Sequence, residues 1–373
     1  MIPRAGSGRV THGGRGDGAV VRVASIFHLN QSRARDTAIG AFVQGVSVLV
    51  DQPITWIGPE RESRLKNYAF TVELFRRKDS LPEADVYLVH LLNHLQALRE
   101  ARIWDRLLFV IHTPSQDFHR LSLVERLQWR GTQRLYHRLE DELYPRVPMA
   151  VGMGEGLVAQ YRARGLPVRH VPAPVVPPPG CARSVARARL GIAADVPVLL
   201  FVGRMARVKR PGLCLEVAGL VAERYGVRPV LLMAGKGPGL ERVRRLGARM
   251  GARVDVRVLG GLPRADLGVC YGAADVLLVT SIFEATHFAS VEAALLGTPV
   301  VSCPVGDVPR IAAACAEDAA GLAAAVWQTL LRREAAGRAC QAAAEARYGP
   351  EQWHGPWRAA FEDVAARRGV SPL

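Results

Sequence analysis

Glu284-Ala-Thr-His-Phe-Ala-Ser-Val-Glu292 stands between two short apolar runs, Asp275-Val-Leu-Leu-Val-Thr280 before it and Gly297-Thr-Pro-Val-Val301 after it. Short aliphatic runs bounded by turn residues read as strands buried on both faces, and the apolar stretch from Phe288 onward reads as a helix between them. The same alternation extends through both halves of the chain, which predicts α/β architecture with parallel sheets and helical crossovers.

In the first half the predicted strands are Val21–Phe27, Val46–Val50, Asp85–His90, Leu107–His112 and Pro148–Gly152. Predicted helices fill Asp36–Gln44, Asn93–Arg102, Phe118–Glu142 and Glu155–Arg164. Pro172-Ala-Pro-Val-Val-Pro-Pro-Pro-Gly180 then interrupts the pattern, because it fits neither a helix nor a central strand; it reads as a stiff connector. The second half is predicted to carry strands Val198–Val202, Pro229–Met233, Asp255–Leu259, Val276–Val279 and Val300–Ser302, with Ala-rich helices near 318–332 and 334–347. Two such sheets facing one another leave a cleft at the carboxyl ends of their strands. The predicted division is a flexible tail over 1–20, a first Rossmann-like domain over 21–175 and a second over 176–348. A final helix in 349–373 is expected to pack back on the first domain.

With 373 residues, two domains of ordinary size are expected. No apolar run reaches the roughly 18 residues of a membrane-spanning helix, and the Gly- and Arg-rich start lacks a signal-peptide core. Six cysteines, all in the second half and without C-x-x-C spacing, suit reduced packing thiols in a cytoplasmic protein. The net charge of +15 is spread evenly, +7 over residues 1–175 and +8 over 176–373, with no nucleic-acid-binding signature beside it. It favours anionic ligands in general and no specific nucleic acid. Of 49 basic residues only four are lysine (66, 78, 209 and 236), and two of these fall in glycine-containing loops after strands.

Four motifs carry chemistry. In Phe201-Val-Gly-Arg-Met-Ala-Arg-Val-Lys-Arg210 a strand ends at Gly203, and Arg204 and Lys209 follow in the turn, a cradle suited to a diphosphate or else a solvated basic loop. Met233-Ala-Gly-Lys-Gly-Pro-Gly-Leu-Glu241 places Gly235 and Gly237 in a turn that either approaches a ligand closely or is simply tight. Val258-Leu-Gly-Gly-Leu262 offers bare backbone at Leu259 and Gly260, where a flat base could bond. Finally, Glu284 in a loop and Glu292 within the next helix can grip two hydroxyl-bearing parts of one ligand, while the amides near Phe288 meet an anion. A sugar nucleotide combines those features. Gly-x-Gly-x-x-Gly directly after a strand is missing, which argues against a dinucleotide oxidoreductase, and His90 and His94 lack the carboxylates of a metal set.

In this order and spacing, Arg204…Lys209, Gly-x-Gly-Pro, Val-x-Leu-Gly and Glu-x7-Glu…Gly-Thr-Pro-Val-Val resemble family 4 of the retaining glycosyltransferases, which have the GT-B fold of two facing Rossmann-like domains. The resemblance spans roughly residues 196–310. It implies that Arg204 and Lys209 neutralise the donor diphosphate, that Glu292 binds the ribose and Glu284 the donor sugar. His112, ending Leu107–His112, would reach that sugar from the other domain. It further implies a UDP- or GDP-linked hexosyl or related donor, no metal or other cofactor, and an acceptor that is a glycan, a lipid-linked hydroxyl or a small-molecule alcohol. The chain departs from the pattern at Ala285-Thr286-His287, where side chains narrow the pocket, and at Gly306-Asp-Val-Pro-Arg310, where the family has Gly-Gly-x-Pro-Glu. A degenerate binding or scaffold protein and a sugar-nucleotide epimerase stay open as alternatives. Arg126, Arg130, Arg134 and Arg138 recur every four residues, as a solvated helix face or as a peripheral contact with the anionic inner face of a membrane. The Ala/Arg/Gly-rich composition suggests a bacterial source with a G+C-rich genome.

Overall fold

The computed structural model describes residues 21–27, 38–50, 53–60, 67–112 and 134–367. Twelve strands are present among them: β1 (Val23–Ile26), β2 (Thr55–Ile57), β3 (Val86–Val89), β4 (Leu107–Ile111), β5 (Met149–Gly152), β6 (Val168–His170), β7 (Val198–Val202), β8 (Val230–Ala234), β9 (Asp255–Gly260), β10 (Val276–Val279), β11 (Val300–Ser302) and β12 (Ala314–Cys315). They form two all-parallel sheets, ordered β2-β1-β3-β4-β5-β6 and β12-β11-β10-β7-β8-β9. The central strands are buried and apolar apart from Ser25 of β1, as parallel strands covered on both faces must largely be. In each sheet the order reverses once, between β1 and β3 and between β7 and β10. Ligands of open α/β sheets bind at such reversals, outside the carboxyl ends of the strands.

The sequence misplaces one strand. Val46 is fully buried at the end of the Ala38–Ser47 helix while Val48 is exposed, and the strand expected at Val46–Val50 lies instead at Thr55–Ile57. Ile39, Phe42 and Val46 recur at helical spacing, and the short apolar run that follows carries no period of its own. Helices Asn67–Arg77 and Arg183–Leu190 and the edge strands β6 and β12 have no clear sequence signal, and the helix expected over Asn93–Arg102 is only Leu92–Ala97. Of the long helix expected over 118–142, only 134–142 falls among the described residues, with Arg134 and Arg138 exposed; Arg126 and Arg130 lie outside them.

The proline-rich segment runs without regular structure, and helical glycines let it pass closely. A Cβ on Gly45 would lie 1.8 Å from the Pro174 carbonyl oxygen, and one on Gly268 2.1 Å from that of Pro179. The Pro350–Ala365 helix packs against β3 and β4 and buries Trp353, Trp357 and Phe361. Trp357 donates Nε1–H to the Pro172 carbonyl (2.8 Å) and meets Phe42 edge-on at 5.1 Å. In the second sheet Asp275 ties β10 to β7, accepting from Arg187 (2.7 Å) and from the Val198 amide (2.8 Å). All six cysteine thiols are unpaired, and burial pushes Cys214 and Cys270 upward.

Candidate active site

At the β7/β10 reversal two loops are sewn together by backbone. The Ile282 amide donates to the Val208 carbonyl (2.8 Å), and the Thr280 hydroxyl donates to the Lys209 carbonyl (2.8 Å). Arg210 adopts φ +45°, and a non-glycine residue needs compensation to stay in that left-handed region. Its guanidinium supplies it, donating to the carbonyls of Thr280 (2.6 Å) and Ser281 (3.2 Å) and to Cys303 Sγ (3.0 Å). In the sequence Arg210 is one more cation of the basic loop; only the folded loop shows that it sets the backbone beside Lys209.

This stitching brings the Lys209 ammonium onto Glu284, with both side chains mostly buried. Burial alone would raise the Glu284 pKa, yet His287 and Lys209 outweigh it and hold the carboxyl below its usual range. His287 is itself lowered to about 4 by burial, so it is neutral near pH 7 and Lys209 is the effective counter-charge. Nδ1 of His287 accepts from the Ser290 amide (3.2 Å) and caps the Phe288–Leu295 helix, which puts the imidazole proton on Nε2. The Thr286 hydroxyl is buried and has no hydrogen-bond partner among the described residues. Phe288 is buried at the first helical position.

Glu292 projects from the same helix but has its own partners. Arg264 Nη1 donates to one oxygen (2.8 Å) and the Tyr271 hydroxyl to the other (2.9 Å), while burial raises its pKa. Arg264 and Tyr271 lie on the preceding helix, and nothing in their spacing announces the pairing. Arg204 is exposed and forms no ion pair with the described residues, so it does not join the Lys209–Glu284 pair.

The glycines have a packing reason. Gly235 and Gly237 hold φ values of 144° and 154°, and a Cβ would come within 1.9 Å of the Gly203 oxygen and 2.6 Å of the Met205 oxygen. The Gly203 amide donates to Ala234 (3.0 Å), that of Met205 to Lys236 (2.9 Å) and that of Gly239 to Met205 (2.7 Å). The second glycine loop thus supports the first from beneath. Gly260, at φ 72°, accepts from the Gly235 amide (2.6 Å) across a register shift in the β8–β9 pairing, and Leu259 beside it is half-buried.

The acidic loop also meets the first sheet. A Cβ on Gly154 would sit 3.2 Å from the Ala285 carbonyl oxygen, and Gly306 at φ 52° allows a similar approach to the Glu284 and Ala285 carbonyls. Asp307 Oδ2 accepts from the Glu155 amide (3.1 Å), capping a helix of the first half, and Arg310 pairs with the Glu155 carboxylate at 2.6 Å. The departure Gly306-Asp-Val-Pro-Arg310 is therefore one of the places where the two halves touch. On the first sheet, His112 follows β4 and its Nε2 lies 2.9 Å from Nδ1 of His90, whose Nε2 lies 3.0 Å from Ser25 Oγ. Burial lowers both histidines, His112 to about 4.

Residues 183–323 match the family model described as glycosyl transferases group 1. Similar proteins include the D-inositol 3-phosphate glycosyltransferases of Corynebacterium urealyticum and Geodermatophilus obscurus. The first is 37% identical over 152 residues (39% of this chain, 35% of that protein), the second 38% over 167 residues (41% and 37%). The chain thus spans little more than a third of the length of the curated relatives it matches. Across the whole chain the fold is similar to that of sucrose-phosphate synthase from Thermosynechococcus elongatus, at TM-score 0.72 and 18% identity, covering 93% of this chain and 99% of that one. HepE of Anabaena, solved in complex with UDP and glucose, gives TM-score 0.67 and 14% identity, covering 92% and 99%. Residues 183–323 thus resemble the group 1 glycosyl transferases, and the two-sheet frame that carries them has the GT-B fold.

Proposed function

We propose that the chain transfers a glycosyl unit from a UDP- or GDP-linked sugar to an acceptor hydroxyl, with retention at the anomeric carbon and without a metal. The observation that carries this reading is the Lys209–Glu284 pair at the carboxyl-end reversal of the second sheet, beside the start of the Phe288–Leu295 helix. As the anomeric C–O bond lengthens, negative charge gathers on the β-phosphate and the sugar gains oxocarbenium character. The Lys209 ammonium has three donors and spends one on Glu284, so two remain for phosphate oxygens. Helix-start amides add donors on the same side, and Arg204 in the same loop supplies an exposed second cation. Glu284, kept ionised, accepts from sugar hydroxyls, and Glu292 accepts from the ribose with lone pairs that Arg264 and Tyr271 leave over. Gly203, Gly235 and Gly237 shape the phosphate loop, and Leu259 and Gly260 offer backbone to the base. Thr286 and His287 line the donor pocket, and His112 reaches the sugar from the first half.

Retention without an enzyme nucleophile follows from the family 4 likeness, as attack on the face the diphosphate leaves. The first half lies outside the matched residues 183–323, which leaves the acceptor class as a glycan, a lipid-linked hydroxyl or a small-molecule alcohol. The relatives' names add a phosphorylated cyclitol to it. Action in the cytoplasm, with Arg134 and Arg138 touching an anionic membrane surface, fits this reading. A donor panel read by mass spectrometry, with and without chelator, tests it. Glu284→Gln and Lys209→Ala should each lower transfer at least tenfold, on the scale of a lost charged contact. Undiminished transfer in both variants would refute the assignment.

A further inference from the structure

Ser25, His90 and His112 form a diagonal across three neighbouring strands. Ser25 stands level with Leu88, and Leu88 with Leu108, so each link crosses one strand and advances two residues along the same face. Ser25 is fully buried and His90 nearly so. Phe42 closes over both imidazoles edge-on, 5.5 Å from each ring.

We propose that Ser25 and His90 are positioning residues that fix the tautomer of His112, so that it meets its ligand as a neutral hydrogen-bond donor through Nδ1–H. The protons available along the row decide the tautomer. A neutral imidazole carries one ring proton, and the Ser25 hydroxyl carries one proton of its own. With the hydroxyl donating to His90 Nε2, His90 must hold its proton on Nδ1 and donate it to Nε2 of His112. His112 then carries its proton on Nδ1. The reverse arrangement has His90 Nε2–H donating to Ser25, and it leaves the buried hydroxyl proton with no acceptor, since Ser25 makes no other side-chain hydrogen bond among the described residues. Such an orphan disfavours that arrangement by roughly tenfold or more. The ring pKa values, both depressed by burial, keep the row neutral through the physiological range. A donor at this place selects an acceptor oxygen, a sugar hydroxyl or phosphate oxygen, and excludes His112 as the proton acceptor of the reaction. That last part rests on the proposed glycosyl transfer; the tautomer does not.

The test uses the full chain labelled with 15N-histidine, with the His112→Gln variant identifying the His112 signals. Long-range 1H–15N spectra should show His112 protonated on Nδ1 in the wild type. Ser25→Ala should move it toward the Nε2 tautomer, and Ser25→Thr, which keeps the hydroxyl, should restore the original pattern. With an accepted donor sugar, Ser25→Ala should lower kcat/KM about threefold to tenfold and Ser25→Thr less than about twofold, at unchanged melting temperature. Nε2 protonation in the wild type, or a tautomer indifferent to Ser25→Ala, would overturn the proposal. A tautomer that moves as described in a chain that transfers no sugar would uphold the row and count only against the transferase.

Discussion

Removing the Asp307 side chain tests the contact between the two halves. Asp307 Oδ2 accepts from the Glu155 amide at 3.1 Å. It is an N-cap supplied in trans, 152 residues away in the chain. Losing an N-cap costs about 1 kcal/mol, and the charge at the positive helix end adds about 0.3–1 kcal/mol. Against this, burial raises the Asp307 pKa, so the folded state bears part of the cost of desolvating the carboxylate. The net expectation for Asp307→Ala is about 1–2 kcal/mol. Arg310 reaches Glu155 at a shorter distance, 2.6 Å, but side chains 41% and 46% exposed are screened, and such pairs contribute about 0–1 kcal/mol. Burial, and not distance, should therefore rank the two variants. Urea unfolding followed by tryptophan fluorescence measures both midpoints, and Asp307→Asn should recover part of the loss. Equal stability of wild type and Asp307→Ala, or a greater loss in Arg310→Ala, would refute the reasoning.

Gly237→Ala should destabilise by about 1–3 kcal/mol, because φ 154° and an approach of 2.6 Å to the Met205 oxygen leave no space for Cβ; thermal melting checks it. Arg264→Ala leaves the buried Glu292 carboxylate with Tyr271 alone and should cost about 3–5 kcal/mol, more than Arg264→Ala paired with Glu292→Gln, which a double-mutant cycle in urea resolves. His287 titrates near 4 when folded and near the ordinary histidine value of 6.5 when unfolded, so below pH 6.5 the unfolded chain binds the extra proton. Its contribution is complete above pH 6.5 and is lost as pH falls toward 4, reaching a loss of about 1 kcal/mol at pH 5.5. His287→Gln should flatten that part of the stability-against-pH curve.

The second sheet was legible because its strands are continuous apolar runs closed by glycine and proline, and because Glu284 and Lys209 stand at loop positions that topology forces together. Val46–Val50 misleads because four aliphatic residues fit the end of a helix as well as a strand, and Ile39 and Phe42 upstream hold the deciding period. The partners of Glu292 and the row from Ser25 to His112 depend on which helix or strand lies alongside, and local pattern does not encode that. Gly235 and Gly237 stand out in the sequence, but ligand approach and loop-on-loop approach demand the same missing Cβ. The altered residues at 307 and 310 are visible as departures, and only the first-half helix beneath them gives their purpose.

Titration calorimetry of UDP and of GDP into the full chain, in chelator, addresses the central claim without needing an acceptor. One of the two should bind the wild type at a single site, and Lys209→Ala should weaken that binding at least tenfold, the scale of a lost charge-assisted phosphate contact. Equal affinity in both proteins, or no binding of either nucleotide to the wild type, would contradict a diphosphate site at the Lys209–Glu284 pair.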